Sequence, residues 1–233
     1  NLLRPGQVGA YAVTGGWGDK ALAEARTVGE AVDVTPMGGR YDHIPLAEAH
    51  RLPERAAYLH ITTNNTLEGT QYAVPPTVEG APLVADMSSD FLWRPTDLSP
   101  YGLVYAGAQK NLGPSGLVVV VARRALLSQC RTDIPRIFRF GVHDANGSLY
   151  NTPNTFGVYL MGEVFKWILA EGGLKAMQQR NQEKAAVVYD FIDSQDFYKP
   201  HAQRDSRSLM NITFKCPTPE LDALFTAESE KHG

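Results

Sequence analysis

Apolar residues fall in short runs separated by polar, glycine-rich intervals. The runs VGAYAVT (8–14), EAVDVTP (30–36), AYLHITT (57–63), PLVADMSS (82–89), GLVYAG (102–107) and GLVVVVAR (116–123) are rich in β-formers and read as strands. Between the first two lies DKALAEARTVG (19–29), whose Ala, Leu and Glu content and closing glycine predict a helix. The unbroken apolar run LVVVVA (117–122) reads as a strand covered on both faces, as sheets in α/β proteins are. These elements predict an α/β sheet domain.

The texture changes at Thr155. TFGVYLMGEVFKWILAEGG places apolar residues at helical spacing and stops at Gly172-Gly173, and LKAMQQRNQEKAAVVYDFIDSQ resumes as a second helix. A turn ending in Thr152-Pro153 is the expected entry to the first of these helices. The tail, SRSLMNITFKC (206–216) and then TPELDALFTAESEKHG (218–233), reads as one strand and one helix with little to pack against. A boundary near residue 176 therefore separates a large domain, 1–176, from a linker helix and the beginning of a smaller domain, 177–233.

Composition narrows the function. The chain has 233 residues and a formal net charge of −3, with 22 Lys+Arg against 25 Asp+Glu and no run of like charge, so neither nucleic acid nor an anionic membrane surface is an expected partner. No apolar run is long enough to span a bilayer. Two cysteines, Cys130 and Cys216, without CxxC or HExxH, indicate neither a disulfide framework nor a metal site, and reduced thiols in a cytoplasmic protein are expected. The chain opens at NLLRPG without a methionine and closes at ESEKHG, which reads as an internal piece of a longer protein.

One lysine, Lys110, stands in YAGAQKNLGPSG (105–116) among three glycines, a proline, a glutamine and an asparagine. A solvated turn is the ordinary reading of such a lysine. A phosphate-cradling Walker loop does not fit, because Gly107 is followed by five residues and then Gly113-Pro114 rather than by four and then Gly-Lys-Ser/Thr. Asp86 closes the apolar run PLVAD as Lys110 follows the run GLVYAG, and ligands of open α/β sheets gather outside such strand ends. An acid and a lysine delivered together to that edge match the needs of pyridoxal phosphate: an amine for the Schiff base and a carboxylate for the pyridine nitrogen.

The segments AYLHITTNNTLEGTQY, PLVADMSSDFLWRP and YAGAQKNLGPSGLVVVV, in this order and spacing, resemble the cofactor core of the phosphoserine aminotransferase family, and VTGGWGDKALAEA and YNTPNTFGVYL resemble two further segments of it. The resemblance implies a fold-type-I architecture: a mostly parallel sheet with helices on both faces, followed by the start of a smaller α+β domain. It implies that Lys110 links to pyridoxal 5′-phosphate and that Asp86 pairs with the pyridine nitrogen. Trp17 would stack on the ring, Thr66 would lie near its phenolic oxygen, and Gln109 would donate to its phosphate. Asn151 and Thr152 match an element that reaches a partner subunit's cofactor, which implies a homodimer with composite sites.

The implied reaction moves an amino group from L-glutamate to 3-phosphohydroxypyruvate in serine biosynthesis. The family's phosphate cradle and its substrate-gripping histidines and arginines have no match in these residues, so weak activity is expected of the chain alone. Arg94, Arg136 and Arg139 are available cations for which structural roles are expected. Another aminotransferase or a desulfurase of the same fold, or a non-catalytic dimerising homologue, are the alternatives.

Overall fold

The computed structural model describes residues 1–35, 37–46 and 50–232. Its centre is a six-stranded sheet in the order β2-β1-β3-β6-β7-β8. The strands are β1 (Val8–Ala12), β2 (Glu30–Asp33), β3 (Ala56–Thr62), β6 (Leu83–Asp86), β7 (Tyr101–Gly107) and β8 (Val118–Ala122), with a small hairpin, β4 (Asn64–Asn65) and β5 (Thr70–Gln71), beyond the end of β3. Pairings among β1, β2, β3, β6 and β7 are all parallel, and β8 runs antiparallel to β7. The mostly parallel α/β sheet expected from the sequence is present. Pro36, the last residue of the expected second strand, and Gly233, the last of the expected tail helix, lie outside the described residues.

Alternation in the strands sends side chains to two separate cores. On one face Ala10, Ala12, Leu59, Ile61, Leu83, Ala85 and Val104 pack together. On the other, Tyr11, Val13, Tyr58, Val84 and Leu103 meet Leu22 and Ala25 of helix α1 (Gly16–Val28). The chain passes from β1 outward to β2 and then back across to β3, so the strand order reverses between β1 and β3. A crevice outside the carboxyl ends of the strands at such a reversal is the preferred ligand site of an open α/β sheet.

Three expectations are corrected. The valine run is not covered on both faces: β8 is an edge strand, with Val118 66%, Val120 41% and Val121 40% exposed. A continuous run of β-branched residues reports strand propensity, and the same pattern serves a buried strand and an edge. The entry to helix α5 (Thr155–Ala170) is not Thr152-Pro153 but Asn154, whose side chain accepts from Gly157 N at 3.0 Å. In the tail only β10 (Phe214–Lys215) is strand, paired with β9 (Lys199–Pro200).

Residues 208–213 instead dock on the 64–71 hairpin. Ser208 N donates to Gly69 O at 2.8 Å, Leu209 N to Gln71 Oε1 at 3.0 Å, and Thr213 Oγ1 to Glu68 O at 2.9 Å. Gly69 makes this possible: its φ is +69°, and a Cβ there would collide with Thr213 Oγ1.

The remaining helices are α2 (Ala108–Asn111), α3 (Arg124–Leu127), α4 (Phe140–Ala145), α6 (Gly173–Asp193) and α7 (Pro219–His232). The break between α5 and α6 falls at Gly172 and Gly173, with φ of 98° and 73°, as the glycine pair predicts.

Behind the hairpin, Asp90 is 7% exposed and accepts from Thr63 Oγ1 at 2.6 Å and Gln71 Nε2 at 3.0 Å. Burial outweighs these donors and pushes its carboxyl up to about 6. The folded chain thus binds a proton that the unfolded chain, with an ordinary aspartate near 3.9, releases. Stability supplied by the protonated form is full below about pH 4 and is lost as pH rises through about 6, by roughly 2–3 kcal/mol. Asp90→Asn should flatten that slope, because Thr63 Oγ1 can turn its proton to Asp86 O, 3.0 Å away, and accept from the new amide. Urea unfolding of both proteins from about pH 4 to about pH 7 measures the difference, and parallel curves would exclude the assignment.

Candidate active site

The loops leaving β1 and β3 meet at the reversal of strand order. Trp17 lies in the first turn of α1, and its Nε1 donates to Thr66 Oγ1 at 3.0 Å. The contact depends on Gly15: a Cβ there would stand 2.6 Å from Asn65 Oδ1 and 2.8 Å from Glu68 Oε2. Glu68 in turn accepts from Gly16 N at 2.8 Å, supplying a carboxylate to the start of α1 where the helix dipole favours negative charge. The indole therefore has a fixed edge and remains 40% exposed.

Lys110 reaches the same indole from the other side of the site. It sits on α2, a single turn directly after β7, where Ala108 N donates to Leu117 O at 3.0 Å and Asn111 Nδ2 to Phe91 O at 2.7 Å. Leu112, fully buried, anchors the turn while Lys110 is exposed. The ammonium lies 5.1 Å from the centre of the Trp17 ring, a cation–π separation, and Lys20 Nζ lies 4.5 Å from that ring. Lys20 had no sequence signal beyond its i+3 spacing from Trp17 on the helix.

Asp86 is the last residue of β6, half-buried, and its Oδ1 accepts from Ser88 N at 2.8 Å. Ser88 Oγ then accepts from Gly107 N at 3.0 Å, which ties the end of β6 to the end of β7 one turn before Lys110. The acid and the lysine thus arrive on neighbouring strands, as expected. Behind Asp86 lie His60 and Tyr105, joined at 2.9 Å through His60 Nε2 and the Tyr105 hydroxyl. Burial lowers His60 to about 4, against an opposing pull from Asp86, and burial together with Asp86 raises Tyr105 far above its usual value. Both residues escaped the sequence reading, although Tyr58, His60 and Thr62 alternate onto one face of β3.

Gln109 is exposed beside Lys110, and Asn151 and Thr152 are exposed in the segment before α5, with no hydrogen bond to the Lys110–Trp17–Thr66 group among the described residues. The three arginines have structural partners: Arg94 donates to Ala73 O, Arg136 to the Tyr150 hydroxyl and Arg139 to Ile134 O.

A mostly parallel α/β sheet that brings a lysine, an indole and a carboxylate to one strand edge defines the class of pyridoxal-phosphate-dependent aminotransferase folds. The chain belongs to the class-V aminotransferase family, whose pattern matches residues 3–231. It is 48% identical over 235 residues to the phosphoserine aminotransferase of Geobacillus kaustophilus, covering 100% of this chain and 65% of that protein.

Among solved structures, the phosphoserine aminotransferase from Bacillus circulans subsp. alkalophilus superposes with a TM-score of 0.96 at 46% identity, over 100% of this chain and 65% of the other. The PLP-bound phosphoserine aminotransferase from Trichomonas vaginalis superposes with a TM-score of 0.90 at 33% identity, over 100% and 67%. The chain spans about two-thirds of the length of these relatives.

The role of Gly15 gives a direct test. Gly15→Ala should cost about 1–3 kcal/mol through overpacking and move the Trp17 indole N–H resonance as its bond to Thr66 is lost. Gly16→Ala, whose added carbon meets nothing nearer than 3.5 Å, should leave both unchanged. Equal effects of the two substitutions would show that close approach at Gly15 does not set the indole.

Proposed function

We propose that the protein carrying this chain is a phosphoserine transaminase that exchanges an amino group between L-glutamate and 3-phosphohydroxypyruvate through pyridoxal 5′-phosphate, giving O-phospho-L-serine and 2-oxoglutarate. The observation that carries the reading is Lys110 Nζ poised over an indole whose edge is fixed by Thr66. The residues suit this cofactor: a primary amine for its aldehyde, an exposed aromatic face for its ring, and a carboxylate on the adjacent strand for its ring nitrogen.

Bound pyridoxal phosphate would supply an electron sink for the charge left when the substrate Cα loses its proton. Lys110, as a free amine, takes the proton from Cα and returns it as general base and acid. Trp17 holds one face of the site and excludes water from it. Asp86 favours positive charge on the ring nitrogen, Gln109 would donate to the cofactor's phosphate, and Asn151 and Thr152 would reach the phosphate of a partner subunit in a two-fold dimer. Both cysteines are free thiols, which suits the cytoplasmic setting we propose. Helix α6 is read as the link to a smaller domain.

Adding pyridoxal phosphate to the full-length gene product, reducing with borohydride and mapping the modified peptide tests the central claim. The adduct is expected on Lys110 and is expected to be absent from Lys110→Ala, and an adduct on another lysine would overturn it. Asp86→Asn should still bind the cofactor yet slow the half-reaction with phosphoserine by about a hundredfold or more, since a charge-assisted contact becomes a neutral one.

For the dimer, mixing an Asn151→Ala/Thr152→Ala chain with a Lys110→Ala chain should yield heterodimers holding one intact site. Recovered activity supports sharing, and proven heterodimers without it would refute it.

A further inference from the structure

The proposed reaction uses the Asp86 carboxylate and leaves unexplained a row of polar side chains behind it. Asp86 pairs in register with Thr62 of β3 and with Tyr105 of β7, and His60 precedes Thr62 by two residues, so all four side chains share one face of the sheet. His60 Nε2 lies 2.9 Å from the Tyr105 hydroxyl, and that hydroxyl lies within hydrogen-bonding reach of the Asp86 carboxylate. The Tyr11 ring packs 4.9 Å from the His60 ring, and the Tyr11 and Tyr58 hydroxyls are 2.8 Å apart. This row crosses a cluster otherwise built from Leu3, Val13, Leu22, Val84 and Leu103. Polar groups in such surroundings are costly unless hydrogen-bonded.

The proton positions follow from donor and acceptor counting. An ionised carboxylate only accepts, so the Tyr105 hydroxyl donates to Asp86 and offers its lone pairs to His60. His60, 4% exposed and held neutral by burial, must then carry its one proton on Nε2. That leaves Nδ1 as a bare lone pair, and Nδ1 is indeed buried without a partner. An acceptor left unsatisfied is less costly than an orphaned N–H, which favours this tautomer over the other.

We propose that His60 and Tyr105 are positioning residues forming a relay, His60 Nε2–H to Tyr105 O–H to the Asp86 carboxylate, that holds the carboxylate in its anionic form and so keeps the proton on the cofactor's ring nitrogen. The proposal rests on the reading of this site as a pyridoxal phosphate site. Donors into a carboxylate favour its charged form, and here the Ser88 N–H and the Tyr105 O–H are two such donors. In a dry site an ion pair competes with the neutral arrangement, proton on the acid and none on the ring, because burial penalises both charges. Removing one donor tips that balance toward the neutral pair.

The test uses the full-length holoenzyme loaded with pyridoxal phosphate labelled with ¹⁵N in the ring, whose chemical shift separates a protonated from an unprotonated ring nitrogen. Tyr105→Phe is expected to move the signal toward the unprotonated position and to lower kcat by about tenfold to a hundredfold, with KM changed less than about twofold. His60→Phe should act in the same direction, His60→Gln, which keeps a donor near the Nε2 position, should restore most of the shift, and His60→Phe should add nothing once Tyr105 is Phe. Should Tyr105→Phe fail to fold, the His60→Phe and His60→Gln pair gives the same reading.

A bound cofactor whose ring signal is unmoved in Tyr105→Phe, or additive effects of the two substitutions, would overturn the relay alone. A parent enzyme that binds no pyridoxal phosphate would overturn the cofactor reading and the relay together.

Discussion

Three parallel strands that end in register hold the site together. Thr62, Asp86 and Tyr105 stand side by side across β3, β6 and β7, so whatever follows each strand emerges at the same height on the same edge. After β3 the chain turns through the hairpin that carries Thr66, after β6 it bends at Ser88, and after β7 it winds into the single turn that carries Lys110. A slip of one residue in β6 would send the Asp86 side chain to the opposite core and separate it from Tyr105. The chemistry of the edge is a consequence of backbone pairing several residues below it.

The second support is polar and buried. Asn64 and Asn65 are 1% and 0% exposed, and they spend their side-chain groups on Ser89, Ser208 and Asn211 in one case and on Thr14 and Thr70 in the other. Fully satisfied networks of this kind rigidify a unique arrangement, whereas partly satisfied ones are costly. The network fixes the Thr14-Gly15-Gly16-Trp17 corner against the hairpin, so the indole and Thr66 inherit their geometry from asparagines that make no contact with Lys110. Positioning of this precision is what an active site requires of its supporting residues.

Much of this was legible in the sequence, for reasons that differ by residue. The runs ending at Asp86 and Gly107 are short, apolar and sharply bounded, so their role as strands, and the delivery of Asp86 and Lys110 to one edge, could be read directly. Trp17 and Thr66 are 49 positions apart, and only the resemblance of their flanking segments joined them. His60 and Tyr105 were invisible because a histidine and a tyrosine within apolar runs look like core fillers until the register is known. The edge position of β8 and the docking of residues 208–213 escaped for a related reason: local pattern reports what a segment can form, and the partner is decided elsewhere in the chain.

The docked tail also bears on how the molecule is made. Ser208 and Asn211 complete the hydrogen bonding of Asn64 across 144 and 147 positions of chain, and Thr213 reaches Glu68 across 145. Closing loops of that length is slow, since their entropy is lost before the contacts reward it. On the ribosome, β3 and its hairpin emerge more than a hundred residues before the segment that satisfies them, and at about 5–20 residues per second that interval lasts on the order of ten seconds. During it the asparagines of the nascent hairpin must stay hydrated, and the corner that carries Trp17 cannot set until synthesis has passed Thr213. The site is therefore among the last parts of the chain to take its final form, although the residues that define it are among the earlier ones made.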